Sequence, residues 1–117
     1  MIEGKAKELG RLIGQSSEYQ AVKRANDALG ENKEAVDLLK KMEQLRLEAQ
    51  QMIQRGERPT QEMEQELDTL LGQVQVQSVY QRLVSAQENF DKVMTKVNDW
   101  IVDGIEKGAT SSIITLG

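Results

Sequence analysis

The stretch VQSVYQRLVSAQENFDKVMTKVNDWIVDGIEK, residues 76–107, carries an unbroken helical pattern. At helical rise its about 32 residues reach roughly 48 Å. Val79, Leu83, Ala86, Phe90, Val93, Val97 and Trp100 alternate steps of four and three, which draws one narrow apolar stripe down a single face. Tyr80, Met94, Ile101 and Ile105 widen it, while Gln81, Arg82, Glu88, Lys92, Lys96 and Asp99 fall on the outward side. No proline interrupts the run, and the rest of the chain is expected to pack against it.

Working outward, Lys33 to Arg55 repeats the pattern. Ala35, Leu38, Met42, Leu45, Ala49 and Met52 form a second heptad-like seam, expected to be the long helix's partner in coiled-coil fashion. Arg55-Gly56-Glu57-Arg58-Pro59-Thr60 is the clearest punctuation in the chain. Gly56 suits a left-handed helix end and Thr60 suits a cap, so the helix carrying Met63, Leu67, Leu70 and Val74 must fold back antiparallel. The alternation around Gln73–Ser78 has no partner strand and reads as a break, with Ser78 a candidate cap.

Upstream, Ile2, Ala6, Leu9 and Ile13 mark a short first helix, in which Gly10 and Gly14 have the spacing that permits close backbone approach. Ser17 and Gln20 have capping-box form for a second helix carrying Tyr19, Val22, Ala25 and Leu29, with Gly30 placed to end it and Asn32 to cap the third. Downstream, Gly108 is expected to end the periodicity. Two readings of the apolar tail stay open: a frayed terminus, or a docking peptide presenting Ile113, Ile114 and Leu116. The fold expected is all-α, a long antiparallel helical hairpin or bundle of about five helices over residues 1–108, dimerising along the long C-terminal helix, with a tail at 109–117.

Composition limits the chemistry. The chain has 117 residues, 38% of them hydrophobic and 3% aromatic, which fits extended helices that each bury only a stripe. A net charge of −4 is the wrong sign for gripping nucleic acid backbone directly. With no cysteine and no histidine, thiolate nucleophiles, zinc-finger ligation and imidazole catalysis are excluded. Glu62 with Glu66 and Glu64 with Asp68 are carboxylate pairs one turn apart, but a di-metal bundle site also needs histidine, so they read as acidic surface. No enzyme, cofactor or metal is expected. No apolar run is long enough to span a membrane and no secretion leader is seen, so a cytoplasmic protein is expected.

The sequence resembles the YlbF/YmcA-type family of bacterial control-of-competence regulators from about Ala6 to Ile105. The resemblance is carried by Leu9, Ile13, Ser17-Glu18-Tyr19, Ala25, Glu34-Ala35, Leu38-Leu39 and Met42. It continues through Arg55-Gly56, Tyr80, Ala86-Gln87-Glu88-Asn89-Phe90, Val93-Met94, Val97 and Ile101. It implies a small all-helical, non-enzymatic protein that forms dimers or higher assemblies. Such members act through protein contacts, the best known in a complex that assists endoribonuclease Y in transcript processing and so affects competence, sporulation and biofilm formation. Some carry a cysteine-rich tail contributing to an iron–sulfur cluster; this chain lacks cysteine, so no cluster is implied.

Two functions follow as expectations: a regulatory adaptor binding another regulatory protein or a ribonuclease complex, or alternatively a structural or holdase-like helical oligomer without a specific client. Phe90, Val93, Met94, Val97, Trp100, Ile101 and Ile105 are the residues expected to form the oligomer or partner interface.

Overall fold

The computed structural model describes the backbone of residues 1–116 and the side chains of residues 1–110. Its elements are α1 (Ile2–Gly14), α2 (Ser17–Glu31), α3 (Lys33–Gln54), α4 (Gln61–Gln75) and α5 (Ser78–Leu116). The all-α expectation of about five helices holds.

Local chemistry sets the boundaries. Asn32 Oδ1 accepts the Ala35 amide at 2.9 Å and Thr60 Oγ1 the Met63 amide at 3.1 Å, so both act as expected of N-caps. Gly56, at φ +82°, ends α3 in the left-handed region. The Glu57 amide reaches back to the Met52 carbonyl at 2.8 Å and the Gly56 amide to Ile53 at 3.0 Å, the paired bonds of a Schellman turn.

Other boundaries differ from expectation. Ser16 caps α2 in place of Ser17: its Oγ accepts the Tyr19 amide at 3.2 Å and donates to the Ile13 carbonyl at 2.6 Å. Gln20 is thereby released from the expected capping box, and its Nε2 donates to the Gly14 carbonyl at 2.8 Å. Gln81 does the same at the other break, donating to the Gln75 carbonyl at 2.9 Å. Each glutamine satisfies a carbonyl that the preceding helix leaves open. Gly30 lies inside α2, because the stronger signal one turn on, Asn32, both ends α2 and caps α3. No atom lies within 4 Å of where a Cβ would stand on Gly10 or Gly14, so these glycines mark no tight crossing.

Pairing is the main departure. The seam of α3 was expected to cover the long helix, but α3 packs on α4 and α5 packs on α2. The reason lies in the connections. The six-residue turn from Arg55 to Thr60 folds α4 back over α3, and both strands of the ribbon then break, at Asn32 and at Val76–Gln77. What remains for α5 is α2. Tyr19 meets Phe90 and Ala25 clusters with Ala86, so the two helices run antiparallel.

The chain is therefore one antiparallel ribbon in two arms, α2–α5 and α3–α4. At helical rise, α3 and α5 end to end would reach roughly 91 Å. The longest dimension is 67 Å, the others 37 and 21 Å, so the arms meet at an angle. The 21 Å thickness is about two helix diameters. The core is correspondingly thin: Val22, Ala25, Ala86 and Val97 in one arm, Leu45, Leu70 and Val74 in the other, with Ala35 near the junction.

Helix α5 also runs on through Gly108, where a helix end was expected. One interior glycine costs only about 1 kcal/mol. Flanking contacts bridge it: the Lys107–Asp103 ion pair at 3.0 Å and the Thr110 hydroxyl donating to the Glu106 carbonyl at 2.9 Å. The side chains of Ile113, Ile114 and Leu116, the expected docking tail, lie outside the described residues.

Candidate interaction surfaces

The apolar stripe of α5 is divided by where α2 begins. Leu83 and Phe90 pack on the Val22–Ala25–Ala86 cluster, and Ser17 lies opposite Val93 across a shallow hollow. Met94 is half-buried and Val97 is 5% exposed. The expected interface residues Phe90, Val93, Met94 and Val97 thus turn toward the chain's own packing.

Beyond Val97 the stripe continues uncovered. Trp100 is 67% and Ile105 63% exposed, with Ile101 and Val102 exposed between them. Trp100 and Ile101 follow Val97 by three and four residues, and Ile105 follows Ile101 by four, so these three continue the same face. Val102 lies beside that face and belongs to no heptad seam, which is why periodicity missed it.

Helix α1 is separated from α2 by two residues and packs against it. None of its residues is fully buried. Leu9 and Ile13 are half-buried, while Ile2 and Leu12 are exposed. Glu3 and Lys7, one turn apart, form an ion pair at 2.8 Å between exposed side chains that adds a few tenths of a kcal/mol at most.

A second apolar surface lies on the other arm. Leu39 and Met42 of α3 and Leu67 and Leu71 of α4 line a hollow of about 350 Å³, with Glu43 and Arg46 at its edge. Leu67 and Leu71 are 36% and 37% exposed. Arg46 donates to Glu43 twice, Nε to Oε2 at 3.1 Å and Nη2 to Oε1 at 2.6 Å. These bonds hold the Glu43 carboxyl below its ordinary range and push the Arg46 guanidinium up. The seam reading missed this hollow. The available signal was the doublets Leu38-Leu39 and Leu70-Leu71: neighbours sit about 100° apart on a helix, so one faces the seam and the other widens it.

Among the described residues no charged or polar side chain is buried, and no group of His, Cys, Asp and Glu could hold a metal ion. No helix among them is long and apolar enough to cross a membrane. The paired carboxylates of α4 are exposed.

The described residues thus form a bent all-helical ribbon with apolar stripes at its surface. The chain belongs to the Com_YlbF family, described as control of competence regulator ComK, YlbF/YmcA, whose model matches residues 2–106. It is 27% identical over 94 residues to a UPF0342 protein of Leuconostoc citreum, covering 80% of each chain. A UPF0342 protein of Limosilactobacillus reuteri is 28% identical over 101 residues, 86% of this chain and 82% of that one. One from Staphylococcus saprophyticus is 28% identical over 102 residues, 87% and 90% of the two chains.

Proposed function

We propose that the protein is a non-enzymatic regulatory adaptor that acts in the cytoplasm as a homodimer and works through protein–protein contacts. It is similar in this to the competence, sporulation and biofilm regulators that assist endoribonuclease Y in transcript processing. The observation that carries the reading is the uncovered continuation of the α5 stripe at Trp100, Ile101 and Ile105.

Surface area supports a second copy there. The chain exposes 9246 Å². A compact monomer of 13.2 kDa exposes about 6,400 Å². The excess, roughly 2,800 Å², exceeds what one subunit contributes to a standard interface, about 800 Å². The radius of gyration, 21.5 Å, compares with about 13 Å for a compact domain of this length.

Trp100→Asp tests the pairing, since a buried charge without a partner is strongly unfavourable. The mass in solution is expected to fall to that of one chain with helical content retained; unchanged mass removes the seam. Affinity capture from native cytoplasm tests the adaptor role. One or two stoichiometric partners are expected, whereas a broad set recovered only after denaturing stress is the outcome of a holdase-like oligomer.

A further inference from the structure

We propose that the hollow between α3 and α4 is the client-binding groove of the adaptor, and that it receives an amphipathic helix with a basic flank. This rests on the adaptor reading above and adds the place and chemistry of the client.

The shape argues for a helix. Two antiparallel helices one layer thick leave a groove along their junction, and a third helix laid in it completes a three-helix bundle. Leu67 and Leu71 stand one turn apart on one wall, Leu39 and Met42 three residues apart on the other. That spacing matches the ridges of an incoming helix with apolar residues every third and fourth position.

Charge gives the flank. On α4, Glu64 lies three residues before Leu67 and Asp68 three before Leu71, so both carboxylates neighbour the groove's leucines on the helix surface. Both are exposed. Helix α4 carries Glu62, Glu64, Glu66 and Asp68 and no lysine or arginine at all. The one cation at the groove, Arg46, is engaged by Glu43. An incoming helix therefore meets leucines on its apolar face and unpaired carboxylates along its α4-side edge, an arrangement that favours Lys or Arg there and repels acids.

Location separates this groove from the proposed dimer seam. The groove is on the α3–α4 arm, while Trp100 lies on α5 beyond the reach of α2, in the other arm. Client and second copy thus occupy different surfaces of one chain.

The test uses the full chain and a fluorescein-labelled synthetic helical peptide of about 18 residues, with leucine at every third and fourth position and lysine elsewhere, followed by anisotropy. A twin peptide carries glutamate for lysine. The lysine peptide is expected to bind at least about tenfold more tightly than its twin. Leu71→Asp, and separately the pair Glu64→Lys with Asp68→Lys, are each expected to weaken it about tenfold with helical content kept, because all three residues are surface-exposed. The pair Asp27→Lys with Glu31→Lys on α2 makes the same charge change one turn apart and is expected to leave binding unchanged. Equal loss from the α2 pair, or no loss from Leu71→Asp, overturns the groove, since binding then follows bulk charge. A drop in oligomeric mass in Leu71→Asp also overturns it, by assigning the hollow to a second copy. Trp100→Asp keeps peptide binding if the groove is right, whatever it does to mass, so failure of the dimer and failure of the groove are read separately.

Discussion

The rings of Tyr19 and Phe90 meet edge to face, with centroids 5.3 Å apart and planes at 62°, and they tie the start of α2 to the first third of α5. Phe90 is half-buried against the Val22–Ala25–Ala86 cluster. Phe90→Ala is expected to cost about 2–3 kcal/mol, below the range for a fully buried ring. A double-mutant cycle with Tyr19→Leu should return a coupling of about 0.5–1.5 kcal/mol. Urea unfolding followed by far-ultraviolet circular dichroism reads both; zero coupling would remove the ring pair as a source of stability.

Val74 and Val76 are two residues apart and stand in opposite environments, at 1% and 73% exposure. Removing two methyls from Val74 takes away apolar burial and leaves a cavity between α3 and α4, so Val74→Ala is expected to cost about 2 kcal/mol. Val76→Ala should stay within about 0.5 kcal/mol. The same unfolding experiment compares them directly, and similar losses for the two would contradict the packing of this arm.

Backbone conformation alone carries the next expectation. No atom stands within 4 Å of a Cβ built on Gly56, so the penalty at φ +82° is purely conformational. Gly56→Ala is expected to destabilise by about 1–2 kcal/mol, and Gly56→Asn by less, since asparagine visits the left-handed region more readily. Asn32→Ala, which removes the acceptor for the Ala35 amide, should cost about 1 kcal/mol. Equal effects of alanine and asparagine at position 56 would argue against the left-handed helix end.

Much of this was legible in the sequence, and the failures share a cause. Periodicity located the helices, and cap chemistry located Asn32, Gly56 and Thr60, because these are local effects written in a few residues. Pairing is not local. The seams of α3 and α5 are each consistent with the other, and only the breaks at Asn32 and Val76–Gln77 decide that α3 takes α4 and leaves α2 to α5. The interface residues divided for the same reason: a stripe states that Phe90 and Trp100 share a face, but not where the covering helix begins. The groove stayed hidden because Leu39 and Leu71 sit beside their seams and not on them.

The exposed Glu43–Arg46 pair gives the pH dependence a sign. The Arg46 hydrogen bonds lower the folded-state pKa of Glu43, so the stability it contributes is complete above the unfolded value. That contribution is lost as the pH falls through the lower folded one. Glu43→Gln should therefore lower stability slightly in the neutral region, by a loss that shrinks as the pH falls and vanishes below the folded value, as urea unfolding at stepped pH will show. A loss that grows as the pH falls would have the opposite sign and would contradict the pair.

The break in the ribbon has a consequence during synthesis. Helix α2 emerges long before its partner, since Ala25 waits for Ala86, and at about 5–20 residues per second the delay is roughly 3–12 seconds. Through that interval the α3–α4 hairpin can already close around Gly56, because its two sides are adjacent in the chain. The nascent chain thus has a folded tip before its longest helix exists, and the Val22–Ala25 face of α2 is a transient apolar surface for whatever waits at the ribosome's exit.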